Sequence, residues 1–404
     1  MNKHPLTKQQ IIKFLIQQKK IVYQTEIINL NKSKGRILAE NIKSKINLPP
    51  FNNSAVDGYA ILKNDLIKNK ILNCSKRIAA GDKKEIRIKK GEVIRIFTGA
   101  KMPVNCSTVV MQENTTIKDN KIILKKIPRI GENFRLKGED IKKNKTILTK
   151  GSFINQQNIN LIAAVGINKI KVFKKIKIGY FTSGNELKLP TKKLINSQIN
   201  NSNYFSLHSL LDSNYISKKY CGNLEDNYDA VKRKLFKSSK NFNLVITAGG
   251  ASVGDEDHLI SVLKSIGKIF FWKAAIKPGR PLAIGKINKT FVVCLPGNPV
   301  SVQLLFAMLI NPFTKSLAGG KFKQPKSELI YSDFNMKKKT KRMEWLRVVK
   351  KNIYKKNYAL KYPKQGSGTI SSISYSDGII EIPESISQIK KGDIFEFYSF
   401  ENIF

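Results

Sequence analysis

Acidic residues are scarce in this sequence: 29 Asp and Glu stand against 73 Lys and Arg, a formal net charge of +44. Such an imbalance favours anionic partners and raises non-specific affinity for nucleic acid. The lysines, however, are spread along the whole chain among abundant Ile and Asn, a pattern of compositional drift, so charge alone names no partner. Basic and aromatic residues are not interleaved as in single-strand stacking platforms. Histidine is rarer still. His4, His208 and His258 are too few for a zinc centre, and no Ser-His-acid set emerges, so the internal histidines read as structural. The four cysteines, Cys74, Cys106, Cys221 and Cys294, never form a CxxC pair. Reduced structural thiols in a cytoplasmic chain are the expectation. A long uninterrupted apolar run is also missing. The uncharged stretch from Phe291 to Ile310 is cut by LPGNP and contains Gln303, which fits a buried strand, a turn and a helix. The N-terminus turns polar too soon for a secretory signal and reads as an amphipathic helix opened by Thr7.

What is present is enough for about two to four domains in 404 residues, 41% of them hydrophobic. After the first helix, INLPPFNNSAVDGYAIL opens a loop-rich region. KEIRIKKGEVIRIF, STVVMQE and NKIILKKI then read as strands of a small β module ending near GENFRLKGED. NQQNINLIAAVGI predicts a helix closed by Gly166. From about Lys174 strands alternate with helices, which argues for a mostly parallel sheet covered on both faces. Near Lys326 the alternation stops, and EWLRVVK, YALKYP, GIIEIP and DIFEFYSF predict a terminal β domain. The densest basic run, MKKKTKR from Met336 to Arg342, reads as a solvated turn.

In an open α/β sheet, ligands sit beyond the carboxyl ends of the strands. Three turns qualify: FTSGNEL, TAGGASVGDED and LPGNPVS. In the middle one, Gly249, Gly250 and Gly254 let backbone N–H groups approach a phosphate, and Ser252 adds a hydroxyl. It is neither a Walker A nor a GxGxxG fingerprint. Asp255, Glu256 and Asp257 at the following helix start suit the helix dipole. Beside a phosphate they would require a cation, and Mg²⁺ is the natural bridge. Glu186 in the first turn reads equally as a cap. Lys273, Lys277 and Arg280 sit in a loop stiffened by Pro278 and Pro281, which suits a small oxyanion. In the third turn, Ser301 reads as an N-cap or a ligand.

The stretches PPFNNSAVDGYA, RIFTGAKMP, VVMQE, GENFRLKGED, TSGNEL, AGGASVGDEDH, AIKPGRPLAIGK, LPGNPVSV and QGSG span nearly the whole chain. Together they resemble the molybdopterin molybdenumtransferase family, whose eukaryotic relative is the C-terminal domain of gephyrin. The resemblance implies an elongated chain with a discontinuous N-terminal domain, residues 1–43 and 141–171, and an inserted β-rich domain, 44–140. It also implies an α/β molybdopterin-binding domain, 172–326, and a C-terminal β-barrel-like domain, 327–404. Implied too are a cytoplasmic homodimer with a cleft between subunits, Mg²⁺ as cofactor, and adenylylated molybdopterin and molybdate as substrates. Contacts with a molybdopterin adenylyltransferase and with apo-molybdoenzymes follow as possible, and neither a membrane nor a specific nucleic acid is implied.

Carried over position by position, the resemblance implies catalytic roles for Asp57, Thr98, Glu186, Asp226, Asp257, Lys273 and Lys277. Asp257, Glu186 and Asp226 would hold the metal. Substrate contacts fall on Gly249, Gly250, Ser252, Gly254, Arg280, Pro296, Gly297, Asn298, Pro299, Ser301, Arg347 and Ser367. The chain departs from the family pattern at Asn185 and Asn201, where Asp is usual, and at Ala251, Arg280 and Asp377. The two Asn residues remove charge and predict weaker metal affinity. Rival readings are an adenylyltransferase on a related α/β domain, a clustering scaffold, a nucleic-acid binder and an inactive relative.

Overall fold

The computed structural model describes residues 4–191, 193–250, 258–339 and 341–404. Its first helix, Lys8–Gln17, starts where the sequence predicts. The Thr7 hydroxyl accepts from the Gln10 N–H while the Gln10 side chain accepts from the Thr7 N–H, a reciprocal cap whose N-cap half is typically worth about 1 kcal/mol. The helix buries Ile11, Ile12 and Leu15. Just before it, Leu6 bridges Ala274 and exchanges backbone hydrogen bonds with Lys273 and Ala275. The N-terminal segment is thereby stitched to the lysine loop of the α/β domain.

Pairing across long sequence gaps builds the N-terminal domain from two pieces. Thr25–Asn29 runs antiparallel to Lys169–Phe173, and Ile42–Lys43 pairs with Thr146–Leu148. Between these pieces the inserted module forms a six-stranded sheet in the order Thr108–Met111, Gly58–Ile61, Glu92–Ile96, Ile71–Ile78, Lys121–Leu124, Thr115–Lys118. Gly58 sits where a Cβ would lie 2.0 Å from the Val110 carbonyl oxygen, so the strand after Asp57 can approach its neighbour only as glycine. Two details differ from the sequence reading. Lys84–Lys89 is irregular rather than strand, and Ile71–Ile78 is a strand that the hydrophobic pattern hides, because six of its eight residues are exposed.

The α/β domain carries a six-stranded sheet ordered Ile216–Leu224, Ile176–Ser183, Leu244–Ala248, Thr290–Leu295, Ala283–Ile287, Lys268–Trp272. The first four strands are mutually parallel. Ala283–Ile287 opposes both of its neighbours, so Lys268–Trp272 again points with the majority. The carboxyl ends of all but one strand therefore open on one edge. From Ile176–Ser183 the chain moves outward to Ile216–Leu224 and returns to the other side at Leu244–Ala248. The order reverses between those two neighbours, the switch point where such sheets bind ligands.

The last strand feeds a continuous helix, Pro299–Leu317, with a π turn at Phe306–Ile310. It is long and apolar enough to cross a membrane, yet 78% of its apolar window is buried, and Val300, Leu304, Leu305, Leu309 and Phe313 pack in the main core. At the C-terminus, Met343–Ile353, Lys356–Lys361, Glu328–Ser332, Ile394–Ser399 and Gly378–Ile382 pair in succession. Gly378–Ile382 then returns to Met343–Ile353, closing a five-stranded barrel that leaves no free edge in its ring. The basic run at Met336 is not wholly a solvated turn. Met336–Lys337 pairs with Gln388–Ile389, and Lys338 is buried with its Nζ donating to the Arg342 carbonyl at 2.9 Å.

Candidate active site

The switch point is built from turns that only small residues allow. Strand Ile176–Ser183 ends in Gly184 at φ +135°, and a Cβ there would lie 2.4 Å from a Glu186 carboxylate oxygen. The Glu186 side chain thus folds back over the glycine, while its carbonyl accepts from the Ile199 N–H at 2.9 Å. Gly249 follows the central strand at φ +100°, where a Cβ would lie 2.6 Å from the Ser183 carbonyl oxygen. Gly250 also has positive φ and packs against Ser183 and Leu259. Gly249 donates to the Leu295 carbonyl at 3.1 Å, and a Cβ on Gly297 would lie 3.8 Å from the Gly249 Cα. The first and third turns therefore meet at Gly249. Ala251 to Asp257, including Ser252, Gly254, Asp255, Glu256 and Asp257, lie outside the described residues.

A buried polar network braces the first turn. Asn223 Nδ2 donates to the Gly184 carbonyl at 2.7 Å, and its Oδ1 accepts from Thr182 Oγ1 at 3.0 Å. Asn201 Nδ2 donates to the same hydroxyl at 2.9 Å. Asn201 is only 3% exposed, and its Oδ1 accepts from the Tyr204 N–H at 3.0 Å, capping helix Ser202–Leu210. This departure from the family pattern therefore falls on a helix cap, not on a solvent-facing ligand position, whereas Asn185 is exposed. Half-buried Asp226 follows strand Ile216–Leu224, beside the Glu186 turn, and the Gly184 N–H contacts the Leu224 carbonyl at 3.4 Å.

The third turn is rigid and tied to the barrel. Pro296 is buried, Gly297 and Asn298 are exposed, and Pro299 opens the helix. Asn298 takes the N-cap position but forms no side-chain cap; its Nδ2 instead donates to Ser367 Oγ at 2.9 Å. The Val300 N–H adds a bond to the Ser367 carbonyl at 3.3 Å. Ser301 lies inside the first helical turn and is 2% exposed, so it neither caps the helix nor meets solvent. Arg347 supports the neighbouring loop from inside the barrel. It is 1% exposed and donates to Ser372 Oγ at 3.0 Å, the Trp345 carbonyl at 3.2 Å and the Gly366 carbonyl at 3.1 Å. Burial pushes its pKa down to about 10, still charged at neutral pH, and its guanidinium anchors the loop that carries Ser367.

The lysine loop reaches the same edge. Lys273 has φ +81° and stacks its Nζ 4.5 Å above Trp272. The Ala274 N–H donates to the Arg280 carbonyl at 2.8 Å, pinching the loop shut. Gly279, at φ +129°, packs onto Leu305 of the long helix, and the Arg280 side chain is exposed. Lys277 pairs with Glu344 on the barrel strand. Glu344 was not singled out from the sequence; its one signal is being the sole acid between Lys337 and Arg347.

Asp57 and Thr98 form a second constellation on the inserted module. Asp57 Oδ1 accepts from the Thr98 N–H at 2.8 Å and Oγ1 at 2.7 Å. The Thr98 side chain and backbone bonds, reinforced by the Arg95 charge, hold this carboxyl below the usual carboxylate range. Among the described residues, no hydrogen bond, ion pair or strand pairing joins this pair to the α/β cleft of the same chain. Oxygen donors suit a hard cation. Glu186 and Asp226 on neighbouring strand ends supply two, but no group of three metal-binding side chains gathers among the described residues. A cavity of about 930 Å³ lies at the opposite edge of the sheet, by Lys20, Lys240 and Phe291, and contains none of these residues.

These features define a multidomain protein built around an α/β domain with a ligand-type cleft at its switch point. Residues 6–166 match the MoeA N-terminal region (domain I and II), 179–316 a probable molybdopterin binding domain, and 331–400 the MoeA C-terminal region (domain IV). A molybdopterin molybdenumtransferase of Haemophilus influenzae is 35% identical over 85% of both chains. One of Staphylococcus epidermidis is 31% identical over 96% of this chain and 94% of its own. The crystal structure of a molybdopterin biosynthesis MoeA protein from Pyrococcus horikoshii superposes with a TM-score of 0.82 at 25% identity, covering 98% of this chain and 100% of that one. The chain belongs to the MoeA family of molybdopterin molybdenumtransferases.

Proposed function

We propose that the chain inserts molybdate into adenylylated molybdopterin, releasing AMP and forming the molybdenum cofactor. The observation that carries this reading is the convergence of the Glu186 turn, Gly249–Gly250 and Gly297–Pro299 on one sheet edge, with the lysine loop beside them. In this reading the backbone at Gly250, set by the tight turn at Gly249, receives substrate phosphate, and Lys273, Lys277 and Arg280 draw in the oxyanion by charge. Asn298 and Ser367 fix the wall of the cleft. Glu186, Asp226 and Asp257 would hold a divalent ion such as Mg²⁺, which would supply Lewis-acid neutralisation of phosphate charge. The protein itself needs little covalent chemistry. It orients molybdate, compensates charge on the leaving phosphate, and excludes water.

The module constellation enters through assembly. A cytoplasmic homodimer that places Asp57 and Thr98 of one subunit at the α/β cleft of the other gives that pair an orienting role. Docking of an adenylyltransferase that delivers substrate, and of apo-molybdoenzymes that take product, belongs to the same reading. The test is AMP release from adenylylated molybdopterin by the purified protein. Release is expected to require molybdate and a divalent ion, to stop on chelation, and to fall at least about 100-fold in Asp257→Ala. Substrate binding without release would leave a carrier, and absence of binding would overturn the reading.

A further inference from the structure

Lys277 does not stand free at the rim of the cleft. Its Nζ lies 3.3 and 3.4 Å from the two carboxylate oxygens of Glu344. The lysine side chain is 50% exposed, but that of Glu344 only 8%. The two residues are presented by adjoining strands, Ile276–Lys277 running parallel to Met343–Glu344, with the Met343 N–H bonded to the Ala275 carbonyl at 3.0 Å. The lysine has a flexible stem and an exposed flank, whereas the carboxylate is fixed by its strand and its burial.

Two features make this contact exchangeable. Both distances exceed the 2.7–2.9 Å usual for a tight ammonium–carboxylate bond. A second cation also serves the carboxylate. Buried Lys338 donates to the Arg342 carbonyl; burial lowers its pKa, and the charge of Glu344 opposes that shift, so the two groups are electrostatically coupled. When Lys277 turns toward the cleft, Glu344 keeps a compensating charge, which lowers the penalty of an unpaired buried carboxylate.

We propose that Glu344 is a built-in competitor for Lys277: it holds the ammonium in the empty cleft and must share or surrender it to an incoming oxyanion. This inference rests on Lys277 being an anion-binding residue of the cleft. An arriving dianion has to draw the ammonium away from the carboxylate, so part of its attraction to Lys277 is offset by the contact it replaces. Glu344 thereby keeps ground-state affinity low, so binding energy is not spent on an anion held too well to react or leave. Because Glu344 belongs to the barrel, this contact adds an ionic link between cleft and barrel to the Ser367 bonds on Asn298 and Val300.

The test is calorimetric titration of the full-length protein with sodium molybdate in a two-by-two set: wild type, Glu344→Gln, Lys277→Ala and the double variant. The expected result is binding tightened about three- to tenfold by Glu344→Gln in the Lys277 background, and little change when Lys277 is Ala. In turnover the same variant should lower the KM for molybdate more than it changes kcat. Equal effects of Glu344→Gln in both backgrounds, or weaker binding, would overturn the proposal while leaving Lys277 in the site. Wild-type affinity in Lys277→Ala would instead remove Lys277 from the anion site, and the proposal with it. Should Glu344→Gln not fold, Glu344→Asp draws the charge back by one methylene. A smaller tightening, again confined to the Lys277 background, is then expected, and unchanged or weaker binding counts against the proposal.

Discussion

Asp57 takes two hydrogen bonds from one neighbour, the N–H and the hydroxyl of Thr98. Both favour the charged carboxylate, so its pKa falls in the folded protein. The sign of the linkage follows. The stabilisation is fully present above the ordinary carboxylate pKa and is lost as pH drops through the lowered folded value. Thr98→Val removes the hydroxyl and keeps the N–H, so the Asp57 carboxyl should titrate closer to its ordinary value. Carboxyl-carbon NMR across acidic pH would read this directly, and an unchanged titration would mean that the backbone bond and Arg95 suffice. Arg347 makes the complementary point. Its guanidinium donates to two carbonyls and a hydroxyl within its own domain.

Among the elements, the strongest sequence signals are those with local causes. Thr7 and Gln10 lie three residues apart and cap the first helix as expected, and Gly166 closes the helix Gln156–Ala164 at φ +79°. The strand before TAGG is buried at every position, so its apolar run is unambiguous. Strand Ile216–Leu224 gives a weak sequence signal because it lies at the sheet edge and carries two adjacent lysines and mostly half-buried residues in place of an apolar run. The Lys277–Glu344 and Asn298–Ser367 contacts join positions 67 and 69 apart, and no local pattern announces them. Asn201 shows how placement changes a reading taken from residue type alone. As a buried helix cap it should accept Asp without shifting the divalent-ion requirement, since Asp caps about as well as Asn. Exposed Asn185→Asp should lower the ion concentration that gives half-maximal AMP release. Titrating that requirement in both variants separates the two positions, and a shift in Asn201→Asp would put its side chain back in the metal site.

At the scale of the whole molecule, the barrel touches the α/β domain where the cleft is built: Ser367 on Asn298 and Val300, and Glu344 on Lys277. Arg347 holds the loop between them. Arg347→Met should cost about 2–4 kcal/mol in urea unfolding, from acceptors left unpaired inside the barrel. It should also lower AMP release by loosening Ser367. Lysine at this position should recover little, because one ammonium cannot span the same three acceptors. A variant that lost stability but kept full release would show the loop to be independent of the cleft.

Leu6 bridges Ala274, 268 positions later, and Lys8 finds its partner Glu381 373 positions later, at 2.5 Å. On a ribosome adding about 5–20 residues per second, the N-terminal segment waits on the order of tens of seconds for its strand partner and longer for its carboxylate. Its apolar face, Ile11, Ile12 and Leu15, has no finished core to enter until then. The chain thus closes from later-made segments back onto an earlier one. A nascent chain halted before the barrel emerges would expose a helix that the complete protein hides, making birth order, more than final stability, the period when this chain most needs a chaperone.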